Sequence, residues 1–226
     1  VAWAAWDLAL RGDLWDHLGA SLGRVGLGFA LTVVLALPLA LVCGLFPRAH
    51  ALGRLLLEAL RVTPPLALVP LLILWLGIGE ASKLAIVVLA SFFPIYMNAL
   101  AGLRDGDHRL VELAHTLDLT PLERAWHVLL PGALPSIVTG LRLGFGYSWR
   151  ALVGAELIAA SSGLGYLIID SGEMARTDRV FVGILAIALL GALSDALFRR
   201  LAETLLPWRR AEPRSPGALA PQESGA

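Results

Sequence analysis

The sequence predicts an all-α, polytopic membrane helix bundle with five visible spans. Three observations carry this. The chain of 226 residues is 57% hydrophobic and only 16% charged, with a mean hydropathy of +0.73, whereas a soluble domain is about half apolar and a quarter charged. Its apolar residues gather into runs long enough to cross a hydrocarbon core of roughly 30 Å. Those runs are continuous and lack period-two alternation, which argues against a barrel and for helices that satisfy their own backbone.

The elements follow in order. Asp7, Arg11, Asp13 and Asp16 break any signal-peptide core in Val1–Leu18, so residues 1–18 are expected as an external N-terminal segment. Val25–Phe46 holds no charge and forms the first span. Val62–Gly79 is the second, and Pro64, Pro65 and Pro70 remove backbone donors from it, so a broken or kinked helix is expected. Leu84–Leu103 is the third, with Pro94 inside. Leu134–Ile158 is the fourth, interrupted by Arg142, Arg150 and Glu156. Ser161, Ser162, Gly163 and Gly165 make a small-residue turn before Tyr166–Ile169, read as a short re-entrant helix at the outer mouth. Val180–Phe198 is the fifth span, with Asp195 near its end. Residues 19–206 thus form one transmembrane domain. The Pro-, Ala-, Gly- and Ser-rich tail, 207–226, has little to bury and is expected to be disordered in the cytoplasm.

Arginine placement sets the orientation. Alternating topology puts Arg48, Arg54 and Arg61, then Arg104, Arg109 and Arg124, then Arg199, Arg200, Arg209, Arg210 and Arg214 on one side. The other side has Lys83, Arg176 and Arg179, diluted by Glu80, Asp170, Glu173 and Asp178. The positive-inside rule makes the first side cytoplasmic. Val1–Leu18 then lies outside, and a further span upstream of Val1 is expected.

Between the third and fourth spans lies a polar interruption, 103–131 (LRDGDHRLVELAHTLDLTPLERAWHVLLP). Asp107 can cap a helix over His108–Leu117 that carries Leu110, Leu113, Ala114 and Leu117 on one face. Asp118 sits at the turn, where Asp tolerates the left-handed conformation better than most residues. Thr120, Pro121 and Glu123 then read as N-cap, first helical residue and capping box. Leu122, Ala125, Trp126, Leu129 and Leu130 share one side of that second helix, and Pro131 stops it. Periodicity alone leaves two readings open: a rigid helix–turn–helix elbow, or an amphipathic loop resting on headgroups.

The segment ELAHTLDLTPLERAWHVLLP resembles the permease signature of ATP-binding-cassette importers: EAA, three residues, Gly, nine residues, Ile, one residue, Leu-Pro. Glu112, Ala114, Leu130 and Pro131 match, and Val128 stands for the Ile. Leu113 replaces the middle Ala and Asp118 replaces the Gly. The runs TPPLALVPLLILWLGIGEASK, PGALPSIVTGLRLGFGYSW, LVGAELIAASSGLGYLI and RTDRVFVGILAIALLG resemble the nitrate, sulfonate and taurine branch. The resemblance implies that Glu112, Leu113, Ala114, Leu117 and Asp118 form a cytoplasmic coupling helix in a groove of a separate ATPase, and that Val128, Leu130 and Pro131 anchor it to the next span. It further implies a homodimer with a second permease copy, two ATPase subunits, an extracytoplasmic solute-binding protein, and residence in the lipid of a bacterial inner membrane. The expected cargo is a small anion such as a sulfonate, nitrate or taurine, with a heterocyclic vitamin precursor as the alternative. A transporter or channel driven by an ion gradient is the alternative mechanism, and a membrane enzyme is disfavoured.

The chain has no ATP site of its own. A P-loop needs Gly-Lys followed by Ser or Thr, and the only lysine is Lys83, in ASKLA. No cofactor is therefore expected in this chain, and ATP belongs on the partner ATPase. Arg150 and Glu156 are charges inside a span, and such charges often mark a pathway. Six residues apart, they do not share a helical face. Arg150 is expected to attract an anionic substrate and Glu156 to pair with a nearby polar group. His17, His50, His108, His115 and His127 are scattered, without the i, i+4 spacing of a zinc site, so no metal is expected. Cys43 reads as a small hydrophobe in a span. Trp3, Trp6, Trp15, Trp75, Trp149 and Trp208 read as interface anchors, while Trp126 lies on the elbow. A net charge of +0 gives a nucleic-acid partner no electrostatic support.

Overall fold

The computed structural model describes residues 1–105, 112, 114 and 116–205. Leu113, most of the expected His108–Leu117 helix, Trp208 and the 207–226 tail lie outside the described residues. Helices account for nearly all of the rest, in the order α1 (Ala2–Arg11), α2 (Asp13–Leu45), α3 (Pro47–Val62), a 3-10 turn (Pro65–Leu68), α4 (Val69–Leu76), α5 (Glu80–Arg104), α6 (Pro121–Arg124), a π turn (Ala125–Leu129), α7 (Leu130–Ala159), α8 (Leu164–Glu173) and α9 (Thr177–Leu205). Among the described residues, four helical stretches are long and apolar enough to cross a membrane: Asp13–Leu45, Glu80–Arg104, Ala125–Ala159 and Thr177–Thr204. The pair His50–Val62 and Pro65–Leu76, bent by 88°, makes a fifth.

The first span is longer than its apolar run. It begins at Asp13, well before Val25, so the boundary at residue 18 falls inside α2. Asp13 and Asp16 occupy its first turn, where the positive end of the helix dipole favours them, and Arg24 is neutralised inside the protein. The second span breaks where the prolines predict. Pro64 and Pro65 end α3 and force the 88° bend. In contrast, Pro131 does not stop a helix. It is an early residue of α7, and the chain runs into it through the π turn, where the Leu130 N–H donates to the Ala125 carbonyl. The wider turn accommodates the proline ring and its missing donor.

α5 is the central helix, packed between α2 and α7. Small residues set these distances: a Cβ on Gly144 would lie 2.6 Å from Ile95 Cγ1, and one on Gly28 would lie 2.6 Å from Val87 Cγ1. Such close approach is how helices associate where lipid supplies no hydrophobic drive. Ala36, Ala40, Cys43, Tyr96, Ala99 and Ile137 form the main core, so Cys43 is indeed buried as a small hydrophobe. Thr32 and Ser91 meet across α2 and α5, hydroxyl to hydroxyl at 2.9 Å. Trp3, Trp6, Trp15 and Trp75 are exposed. Trp149 differs from expectation: it is buried among Val25, Val87, Leu152 and Leu164, because its face of α7 meets α2, α5 and α8.

Candidate functional site

Three charged features stand out against this apolar bundle: the elbow, a buried latch and an open cleft. At the elbow, Glu112, Ala114 and Thr116 are helical. The helix ends on Asp118, whose φ of 51° is left-handed as predicted, with the Leu119 N–H donating to the Ala114 carbonyl at 3.1 Å. The capping box forms. The Thr120 N–H donates to Glu123 Oε2 at 2.8 Å, and the Glu123 N–H donates to Thr120 Oγ1 at 3.4 Å. Hydrogen bonds from the Thr120 hydroxyl and then its backbone N–H hold the Glu123 carboxyl below its usual range.

Among the described residues, neither expected apolar face survives intact. Ala114 is buried, but Leu117 is 62% exposed because it already lies in the turn. Ala125 is buried while Trp126 is 62% exposed. The π turn changes the angular step there, so Trp126 leaves the side that Leu129 and Leu130 share. Val128, Leu129 and Arg124 border a cavity of about 310 Å³ with Ala114, Gly44 and Phe46. The elbow thus buries its small residues Ala114 and Ala125 and presents Glu112, Leu117, Asp118 and Trp126 outward. Pro131 is exposed at the joint and Leu130 half-buried.

At the other end, Glu156 has no exposed surface. It accepts from Ser21 Oγ at 2.9 Å, from Arg24 Nη1 at 2.8 Å and from the Gly165 N–H at 3.0 Å. Arg24 also donates to both Glu80 oxygens, at 2.7 and 2.8 Å, and to Ser162. Lys83, expected in an external loop, is buried and donates to Glu80 at 3.2 Å. The turn before α8 is bound into this group: the Gly163 N–H donates to His17 Nδ1 at 3.1 Å, and the Leu164 N–H donates to Ser21 Oγ at 2.9 Å. Gly163 has a φ of 116°, and a Cβ there would collide with the Glu156 carboxylate, so only glycine suits it. Glu156 is fully buried and joins α2, α7 and α8 directly and, through Arg24, α5 as well. Arg24, Ser21 and His17 were missed because they precede the apolar run. The available signal was one opposite charge in each of two spans, which costs least when the two meet.

Arg150 and Glu156 point apart, as six residues of helix require. Arg150 is exposed and lines a cleft of about 520 Å³ with Arg61, Thr63, Asn98 and Tyr147. Its guanidinium carbon lies 5.7 Å from the Tyr147 ring centre, and it makes no ion pair among the described residues. Leu66, Phe93, Met97 and Leu143 supply the apolar wall. Arg142, one span-charge away, is neutralised by Asp195 at 2.6 and 3.0 Å. Among the described residues no His, Cys, Asp or Glu cluster could hold a metal.

A helical bundle with a capped elbow at one end and a cation-lined cleft at mid-depth defines a membrane transport subunit. Residues 36–206 match the binding-protein-dependent transport system inner membrane component, and the chain belongs to that family. It is therefore the permease component of an ATP-binding-cassette importer, set in the inner membrane. It is 42% identical to the taurine transport system permease protein TauC of Escherichia coli, over 86% of this chain and 71% of that one. It is 43% identical to the putative aliphatic sulfonates transport permease protein SsuC of E. coli, over 93% and 80%. The formylaminopyrimidine transport permease protein ThiX of Halalkalibacterium halodurans is 34% identical, over 86% and 78%. Its fold is like that of a chain in inward-facing structures of the MetNI methionine transporter, with a TM-score of 0.73 at 16% identity, covering 87% of this chain and 95% of that one.

Proposed function

We infer that this permease carries aliphatic sulfonates inward through the Arg150 cleft, driven by a separate ATPase that grips the elbow. The observation that carries the reading is Arg150: a guanidinium inside a span, facing an open cleft, with no carboxylate partner among the described residues. An uncompensated charge at that depth is costly unless water or a ligand meets it. A sulfonate offers three oxygens to the guanidinium fork and an alkyl portion to Leu66, Phe93 and Met97. The names of TauC and SsuC support the same cargo. A neutral heterocycle, the cargo suggested by ThiX, would leave Arg150 unanswered.

On this reading Glu112, Leu113, Ala114, Leu117 and Asp118 meet the ATPase, while Val128, Leu130 and Pro131 pass its motion to α7. ATP stays on that partner. A second permease copy closes the open side of the cleft, and an extracytoplasmic binding protein delivers the solute. The capping box and the seated Ala114 favour a stiff elbow, which suits a rigid-body push. The test is uptake by the reconstituted complex. Arg150→Ala should lower taurine uptake roughly tenfold or more, the value of a lost charge-assisted hydrogen bond, with subunit assembly unchanged. Wild-type uptake by that variant removes Arg150 from the pathway.

A further inference from the structure

Two clefts meet at one arginine. The cleft holding Arg150 also has Arg61 on its wall, and no acid lines it. A second cleft of about 280 Å³ continues toward the end of α5, edged by His50, Arg54, Arg61 and Arg104, with Glu58 as its only acid. Arg61, Phe93 and Met97 line both.

The cations near these clefts differ from others on the spans in their pairing. Arg24 and Arg142 are each held by carboxylates, and Arg54 is held by Glu58 at 2.8 Å. Among the described residues, Arg61 and Arg150 make no ion pair, and Arg104 donates to the Cys43 carbonyl, at 3.4 Å. Three guanidiniums without a direct ion pair among the described residues thus face the connected clefts: Arg150 in α7, Arg61 in the last turn of α3, where Glu58 acts on it only through space, and Arg104 at the end of α5.

We propose that Arg61 is a second anion station, taking the sulfonate group from Arg150 and releasing it toward Arg104. The proposal rests on the reading that the Arg150 cleft carries the substrate. Conduction needs binding strong enough to admit an ion and weak enough to release it, and several sites in series achieve both. A single guanidinium binding strongly enough to capture a sulfonate would release it slowly. A second at the junction lets the next interaction form as the first breaks, while Phe93 and Met97 stay against the alkyl portion. A lipid headgroup phosphate has the same chemistry, so the test separates the two sources.

Met97 lines both clefts and can report the local potential. The full complex, carrying Cys43→Ala and Met97→Cys, is placed in zwitterionic-lipid nanodiscs. Modification rates are compared for sulfonatoethyl and trimethylammonioethyl methanethiosulfonate. Arg61→Gln should lower the anion-to-cation rate ratio at least about fivefold, as expected for removing one unit charge nearby, and Arg61→Lys should retain it. In the native-Met97 complex, Arg61→Gln should cut taurine uptake roughly tenfold while ATP hydrolysis stimulated by the loaded binding protein persists. An unchanged ratio overturns the proposal, as does a ratio that responds to Arg61→Gln only when anionic lipid is added. Uptake lost in Arg150→Gln but unchanged in Arg61→Gln sinks the second station alone; uptake unchanged in Arg150→Gln sinks the cleft reading itself. Should Arg61→Gln fail to assemble, protection of Met97→Cys by ethanesulfonate in the Arg150→Gln background decides: protection supports the station, and its absence overturns it.

Discussion

Glu156 and Arg24 illustrate how residues in contact differ from residues in a pattern. Arg24 is 7% exposed, and its guanidinium donates to two carboxylates and to Ser162. Desolvating two such charges is repaid only when every donor and acceptor is met, as here. Removing one partner leaves a buried, uncompensated ion. Glu156→Gln and Arg24→Gln should each destabilise the protein by about 3–5 kcal/mol, and the double variant by less than the sum. Thermal unfolding of the purified complex checks this, and strict additivity would count against the latch. Glu156 was visible in the sequence as a charge within a span, but its partner lies 132 residues away. Spacing along one helix could exclude Arg150 as that partner, and it did so correctly. It could not select Arg24, since pairing between spans depends on helix packing that hydropathy does not encode.

At the scale of the element, the elbow was the most legible part of the chain. Its cap and its turn rest on local chemistry: Thr120 and Glu123 satisfy each other, and Asp118 takes the left-handed conformation. Asp118→Gly should stabilise the elbow by roughly 1 kcal/mol by removing the Cβ penalty. Asp118→Val should destabilise it and lower the transport obtained per ATP hydrolysed; equal coupling in both variants would count against a strict turn. The capping box also titrates. Because folding lowers the Glu123 pKa, its contribution is fully present above the unfolded carboxylate value and is lost as pH falls through the folded one. Glu123→Gln removes that dependence, so the ATPase-stimulation curves of the two proteins should separate only in the acid range. The π turn was not legible. Ala125–Leu129 reads as ordinary helix, and the wider turn belongs with Leu129 and Leu130 packing on the main core and with Pro131 just beyond. That is why the predicted apolar face broke between Ala125 and Trp126.

At the scale of the whole molecule, composition and run length were enough for the bundle and its number of spans. The same signals placed the start of α2 too late, because a paired arginine and two well-placed aspartates look like interruptions when read singly. They also treated Trp149 as a surface anchor, although it packs inside. As an importer permease without a P-loop, the chain should move taurine in reconstituted vesicles only when ATP and the ATPase are present, and collapsing proton and sodium gradients should leave uptake unchanged. Uptake that follows the gradients instead would favour the ion-driven alternative. The 88° bend at Pro64 and Pro65 carries a consequence of its own. Thr63 answers the Ala59 and Leu60 carbonyls, but Pro65 has no N–H for the Arg61 carbonyl, and hydrocarbon offers no replacement. That corner must therefore look onto moisture or protein rather than acyl chains, which divides the bundle's circumference: the sector around Thr63 is its damp side, and lipid belongs on the sector away from it.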